Sequence, residues 1–334
     1  MKLASLKGGK DGRLVVVSND LAWCAEASAI APTLQAALDD WSQAEPKLRG
    51  LAESLEHGSV PRERFHEHDA LSPLPRAYQW ADGAAYWHHI DLIRQVRGGK
   101  APADFPTEPL MRQGSSDRFM APREPVRLVD EAWGWDLEGE LAVITGDLQQ
   151  GATRGEALSA IRLVMLANDF TLRNLVALEA PNRLGFVQAK PPPAFSPVAV
   201  TPDSLEGWRD GKLSGVLEVE LNGKPLGQAD TGADVAFDFG ALVAYLAKTR
   251  AVAAGSIVGS GTVSNRGPGG TPGKPIAEGG VGYSCLAELR TYEASAHGAP
   301  RTPFLARGDR LRIEMRDGRR HSIFGAIEQE VVAG

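Results

Sequence analysis

Apolar residues recur along the chain in two different periods. Leu34, Ala37, Leu38 and Trp41, then Leu48, Leu51 and Leu55, fall at three- and four-residue steps, which places them on one stripe of a helix. The spacing predicts helix over residues 32–56, broken in two at Pro46 and ended at His57-Gly58. Ahead of it, the run from Leu14 to Val17 follows the turn-like Asp11-Gly12 and reads as a short strand. Residues 58–76 carry histidines and scattered prolines and read as a linker. Beyond residue 76 a two-residue period dominates. Leu217, Val219 and Leu221 alternate with Glu218 and Glu220 before Asn222-Gly223, a hairpin signal. Leu311, Ile313 and Met315 alternate before Asp317-Gly318, with the return strand through Ile323. One helix is marked by capping-box spacing: Thr153 and Glu156 stand ahead of Leu158, Ile161, Leu163 and Val164. Residues 254–282 are dense in glycine and proline and read as a long loop. No repeat of solenoid period is present.

Composition narrows the class of protein. With 334 residues and 43% hydrophobic content, the chain can bury a sizeable core in two domains or one large one. The formal charge is −6 with no long run of one sign, so there is no basic stripe for nucleic acid. Cys24 and Cys285, the two cysteines, stand far apart in sequence. They suit a reducing compartment, the cytoplasm, better than a disulfide framework. Met1-Lys2-Leu3-Ala4 runs into glycine and charge, not into the apolar core of a secretory signal. No uncharged apolar stretch approaches the ~20 residues of a membrane span. A cytoplasmic enzyme of small molecules is the expectation.

The richest stretch runs from Trp135 to Ile144 and alternates as a strand does. Glu138 and Glu140 therefore share a face, roughly 7 Å apart. Glu218 and Glu220 have the same spacing and serve as a control. Their face continues into Asn222 and a turn, as a solvated face should, whereas that of Glu138 and Glu140 continues into Ala142 and Ile144. Two acids beside an apolar surface repel each other and resist desolvation, and a bound cation relieves both. Oxygen ligands favour Mg²⁺, Mn²⁺ or Ca²⁺. Asp169, emerging from the apolar run that begins at Leu163, is a candidate third acid; the competing role for it is a helix N-cap over residues 171–178.

His57, His66, His68 and His297 lie in polar stretches, and His321 sits just beyond a turn. His88 and His89 follow Tyr86-Trp87 and precede Ile90 and Leu92. Each is either a satisfied core residue or a base, and a base needs an orienting acid that spacing does not name. Gly259-Ser260-Gly261-Thr262 lacks the third glycine of a dinucleotide fingerprint. Gly273-Lys274-Pro275 lacks the features of a P-loop, and no Gly-x-Ser-x-Gly elbow is present.

Taken together, these motifs resemble the fumarylacetoacetate hydrolase family over roughly residues 76–330, with an N-terminal segment similar to that of shorter bacterial members. The family's metal ligands match Asp82 in Trp80-Ala81-Asp82, then Glu138, Glu140 and Asp169. Arg173 matches the arginine after that last aspartate, Lys190 the active-site lysine, and Thr262 a substrate-binding threonine. His89 stands seven residues after Asp82, the place of the family's water-activating histidine, and Glu288 matches the glutamate that orients it. The resemblance implies an α+β, mainly β fold: a small N-terminal domain over residues 1–75, and a catalytic domain folded as a β-sandwich roll over residues 76–334. It also implies a homodimer.

The implied chemistry is divalent-metal-dependent hydrolysis of a carbon–carbon bond in a 1,3-diketo acid, with fumarylacetoacetate giving fumarate and acetoacetate in aromatic catabolism. Mg²⁺ is the expected ion. His89, held by Glu288, would activate water, while Arg173 and Lys190 would meet the oxyanion and bind substrate together with Thr262. Val176 stands where the family hydrolase has a glutamine, and the substrate-contacting tyrosines have no counterpart in Pro109-Leu110-Met111 or Leu178-Glu179-Ala180. Other readings are a fumarylpyruvate hydrolase, a hydratase of 2-oxopent-4-enoate, a decarboxylase, a tautomerase, or a non-catalytic binding protein on the same scaffold.

Overall fold

The computed structural model describes residues 1–96, 107–182 and 184–334. The N-terminal segment begins with an antiparallel ladder of β1 (Lys2–Leu6), β2 (Arg13–Val17) and β3 (Trp23–Glu26). Two helices follow, α1 (Leu34–Asp39) and α2 (Trp41–Glu56). Thr33 caps the first, accepting from the Ala36 N–H at 3.1 Å. The break between them falls at Asp40 and not at Pro46, which lies inside α2. The buried stripe of Trp41, Ala44, Leu48 and Leu55 continues through the proline, so packing holds the helix across one missing hydrogen bond. The segment read as a linker is tied to the sheet: β4 (Glu63–Arg64) pairs with β3.

The main body opens with β5 (Trp80–Gly83), α3 (Trp87–Val96) and β6 (Met111–Gly114). Next come β7 (Val126–Leu128), β8 (Trp135–Asp136) and β9 (Gly139–Thr145). The stretch expected as one strand is therefore interrupted at Leu137-Glu138. The Thr153–Glu156 capping box forms as read, but its helix, α4, is only Arg154–Ala160. Ile161, Leu163 and Val164 belong instead to β10 (Ile161–Asn168), buried almost throughout. Its branched apolar residues fit a central strand better than a helix stripe. Then follow β11 (Thr171–Leu172), α5 (Arg173–Glu179), β12 (Ala194–Phe195), β13 (Ala199–Val200) and a two-strand ribbon, β14 (Trp208–Arg209) and β15 (Lys212–Leu213).

Asn222 and Gly223 both adopt positive φ and join β16 (Val216–Leu221) to β17 (Lys224–Asp230) as the hairpin signal required. The chain ends with α6 (Phe239–Leu246), β18 (Ile257–Gly259), α7 (Leu286–His297), β19 (Arg310–Met315) and β20 (Ile327–Ala333). Asp317-Gly318 does form a turn, although Ser322 returns from it by a single bridge to Arg316 and the main return strand is β20. The glycine-rich stretch is not all loop, because β18 lies mid-sheet between β9 and β5.

One eleven-stranded sheet runs in the order β4-β3-β2-β1-β13-β10-β9-β18-β5-β6, with β12 beside β10. A five-stranded sheet, β17-β16-β19-β20-β7, packs over β9 and β10. This is an α+β fold, mainly β. The large sheet is covered on both faces. Leu141 and Val143 point into one core with the five-stranded sheet and α6. Ala142 and Ile144 point into a second core, with Trp80, Phe195 and the N-terminal helices. By strand alternation Glu140 shares the second face.

Candidate active site

Three strands of the large sheet deliver the acids, β10 and β9 side by side and β5 one strand further on, beyond β18. Asp82 leaves β5, Glu140 lies on β9 opposite Ala167, and Asp169 follows the end of β10. Oxygen atoms of these three carboxylates lie within 4.8 Å of one another. Asp169 is buried and caps no helix; the residue before α5 is Leu172, without a side-chain cap. The Gly-Ser-Gly-Thr segment after β18 frames this cluster. A Cβ on Gly259 would sit 2.3 Å from Trp80 and 2.8 Å from Asp82 Oδ1. The Gly261 N–H donates to Asp82 Oδ1 at 3.1 Å. These glycines thus let backbone approach a carboxylate and not a phosphate.

Both oxygens of Glu140 are buried, without a hydrogen-bond partner among the described residues. Burial, reinforced by the charges of Asp82, Asp169 and Glu138, pushes its carboxyl well above the usual range. Burial also lifts Asp82 to about 6, with Arg112 pulling against it and Asp169 pushing with it. An unpartnered buried carboxylate facing two others is a donor set that fits a hard divalent cation.

Glu138 is placed differently from Glu140. It lies outside that three-acid group, and its carboxylate receives Arg173 and, at 3.2 Å, Lys190. Burial opposes its ionisation, but Lys190 and Arg173 override that and hold Glu138 well below the usual carboxylate range. Asn168 Oδ1 accepts from the Glu138 N–H at 3.0 Å and fixes the backbone where β8 and β9 part. Lys190 Nζ also reaches Asp169 Oδ2 at 2.6 Å and Thr171 Oγ1 at 2.6 Å. Arg173 Nε donates to Asp136 Oδ2 at 2.8 Å. Both expected oxyanion donors are therefore committed to carboxylates. Thr262 differs: its Oγ1 is buried, has no partner among the described residues, and the residue lines the cavity.

His89 stands in the first turn of α3 and Glu288 in the first turn of α7. Glu288 Oε1 lies 2.6 Å from His89 Nδ1, so the acid that spacing could not name is in place. His88 points elsewhere, and its Nε2 accepts from the Gly273 N–H at 3.3 Å. Burial lowers its pKa, as for a satisfied core histidine. The other five histidines are exposed. His89, Glu138, Arg173, Lys190, Asp82 and Thr262 face one cavity of about 300 Å³. Its apolar wall includes Ile90, Leu110, Met111, Val176 and Phe186.

Two residues of the site escaped the sequence reading. Asp136 is fully buried, accepts from the Leu286 and Ala287 N–H groups at 2.7 and 3.0 Å, and so ties the start of α7 to Arg173. Its signal was the spacing Asp136-x-Glu138-x-Glu140. Arg112 lies directly across the sheet from Asp82 and pairs with Asp82 and Asp169. No local pattern marks it.

Comparison with known proteins places the chain. The profile "Fumarylacetoacetate (FAA) hydrolase C-terminal" matches residues 79–332, and "Fumarylacetoacetase N-terminal domain 2" matches residues 1–76. The chain belongs to the fumarylacetoacetate hydrolase family. A curated relative, the oxaloacetate tautomerase YisK of Bacillus subtilis (strain 168), is 28% identical over 192 residues. That match spans 58% of this chain and 60% of the relative. Among solved structures, a fumarylacetoacetate hydrolase from Exiguobacterium antarcticum superposes over the whole of both chains with TM-score 0.65 at 18% identity. Maleylpyruvate hydrolase from Sphingobium sp. SYK-6, in complex with manganese(II) and pyruvate, does so with TM-score 0.64 at 18% identity. At these identities the likeness is one of fold. Members of this family named here thus include hydrolases and a tautomerase on one scaffold. Among the described residues, no helix is long and apolar enough to cross a membrane, and both cysteines are free and buried.

Proposed function

We propose that this chain is a divalent-cation-dependent hydrolase that cleaves a carbon–carbon bond in a 1,3-diketo acid of the fumarylacetoacetate or fumarylpyruvate kind. The observation that carries it is the His89–Glu288 pair, 2.6 Å apart, opening on the cavity that also holds Asp82 and Glu138. Asp82, Glu140 and Asp169, with Glu138 beside them, would hold the ion. When bound, Mg²⁺ supplies Lewis-acid polarisation of the diketone oxygens.

The residues do the rest. Glu288 accepts the Nδ1–H of His89 and leaves Nε2 to take a proton from a water in the cavity. The water oxygen bonds to the carbonyl carbon, and Thr262 Oγ1 offers its hydrogen to the carbonyl oxygen. The bond from that carbon to the neighbouring carbon then breaks. The electron pair stays with the departing carbon, and the proton held by His89 returns to it. Lys190 and Arg173 keep Glu138 ionised. The apolar wall keeps bulk water from the reacting carbon. The family resemblance also implies a homodimer, which sedimentation would read.

A second reading is keto–enol tautomerisation of a 2-oxo dicarboxylate, favoured by the relative in Bacillus subtilis. One experiment separates the two. Chelator-stripped protein is assayed on fumarylacetoacetate, on fumarylpyruvate and on enol oxaloacetate, with and without Mg²⁺ or Mn²⁺. Metal-dependent cleavage of either diketo acid supports hydrolysis. Cleavage that survives complete metal removal would sink the mechanism, and tautomerisation without cleavage would select the second reading.

A further inference from the structure

Arg112 sits where a divalent ion's charge would go. It stands opposite Asp82 in the β5–β6 ladder. Its Nη2 lies 3.3 Å from Asp82 Oδ2 and is hydrogen-bonded to Asp169 Oδ2. Its Nη1 is buried without a partner among the described residues. The guanidinium therefore occupies two of the three carboxylates that could hold an ion, yet leaves Glu140 bare. Among the described residues, Asp82, Glu138, Glu140 and Asp169 meet the cations Arg112 and Lys190, and Arg173, which Glu138 shares with Asp136. With all four acids ionised and Arg173 set against Asp136, two negative charges remain over, which a divalent ion would balance.

An ion placed on Asp82 and Asp169 meets a guanidinium on the same oxygens. Two cations at contact distance in a buried site repel strongly. Arg112 also lines the reaction cavity beside Leu110 and Met111, so a side chain pushed off the acids has room to turn into it. There its fork of donors matches a carboxylate.

We propose that Arg112 is the resident counter-cation of the acid cluster, displaced by the incoming ion into the cavity, where it receives the substrate's carboxylate remote from the chelated oxygens. This rests on the metal-dependent reading above. Arg112 weakens ion binding, because the ion must first win the acids from it. It also makes the site selective for diketo acids bearing a second carboxylate.

The test measures Mn²⁺ binding by the electron paramagnetic resonance of free Mn²⁺, on chelator-stripped wild type, Arg112→Met, Arg112→Gln and Asp169→Asn. Arg112→Met should bind Mn²⁺ at least about tenfold more tightly than wild type. A merely structural salt bridge predicts the opposite, since its loss would misplace the ligands. Arg112→Gln carries the same expectation should the methionine variant fail to fold. In turnover, KM should rise at least about tenfold for an acylpyruvate with a carboxylate on its acyl arm, and stay near wild type for one without it. Unchanged or weaker Mn²⁺ binding in both Arg112 variants overturns the proposal. If in that case wild type binds Mn²⁺ and Asp169→Asn does not, the metal reading stands and Arg112 alone falls. Should no variant bind Mn²⁺, both fall.

Discussion

His89 Nδ1 and Glu288 Oε1 are 2.6 Å apart, though 199 residues separate them along the chain. The two start different helices, and those helices pack on one another. The glutamate is almost wholly buried while the histidine reaches the cavity. An acid that water cannot compete for is well placed to fix one ring tautomer and leave the other nitrogen free for chemistry.

His89→Ala should therefore lower turnover of the diketo acid by roughly a hundred- to ten-thousand-fold while Mn²⁺ affinity stays at the wild-type value. Steady-state kinetics and a Mn²⁺ titration on the same preparation check this. Full hydrolysis by the variant would remove His89 from the role of base.

Glu140→Gln separates metal binding from folding. It should weaken Mn²⁺ binding by at least about a hundredfold. In chelator-treated protein it should raise the unfolding midpoint in urea, because a buried acid crowded by three others is gone. A variant that loses both the ion and stability would mean Glu140 is a structural residue.

The ion's affinity should follow pH through Asp82. Its folded carboxyl titrates at about 6 instead of 3.8. Between those values the folded chain keeps a proton that the unfolded chain sheds, so this group makes the stripped protein less stable as pH rises through that window. Binding an ion must expel the proton. Titration calorimetry in two buffers should find more proton release at pH 5.5 than at pH 7.5, with affinity falling below about pH 6. Equal affinity down to pH 5 would contradict the carboxylate set.

Asp136→Ala takes from Arg173 one of its two carboxylates and leaves two helix-start N–H groups without their acceptor. Removing one partner of such a buried pair costs about 3–5 kcal/mol, which urea unfolding would read. The dyad should suffer too, since α7 carries Glu288. Unfolding within about 1 kcal/mol of wild type would mean that Asp136 does not hold the site together.

Much of this site was legible in the chain, for identifiable reasons. The contrast between two Glu-x-Glu pairs survived folding. Glu218 keeps 15% of its side chain exposed and is met by Arg316 and the exposed Arg320, while Glu140 is sealed in with no cation on its oxygens among the described residues. Period two captured the face but not the gap at Leu137-Glu138, which sends Glu138 to Arg173 and Glu140 to the acid cluster. Pro46 misled because propensity is local and the buried stripe of α2 is not. The capping box marked where α4 starts, but nothing local marked the switch to β10. Arg112 was invisible for a different reason. Its contact with Asp82 is created by strand register between segments thirty residues apart, and register is set by the whole sheet.

Val200 pairs with Lys2 on one side and with Val164 on the other. The ladder that carries Asp169 thus runs without a seam into the first strand of the chain. A fragment beginning near residue 77 would lose that neighbour and the helices covering Ala142, Ile144 and Leu163. It would expose an unpaired strand margin and a greasy sheet face together, the usual recipe for edge-to-edge aggregation. The N-terminal quarter is in that sense the backing of the sheet that carries the acids, and an attempt to excise the catalytic part should yield inclusion bodies, not a smaller enzyme.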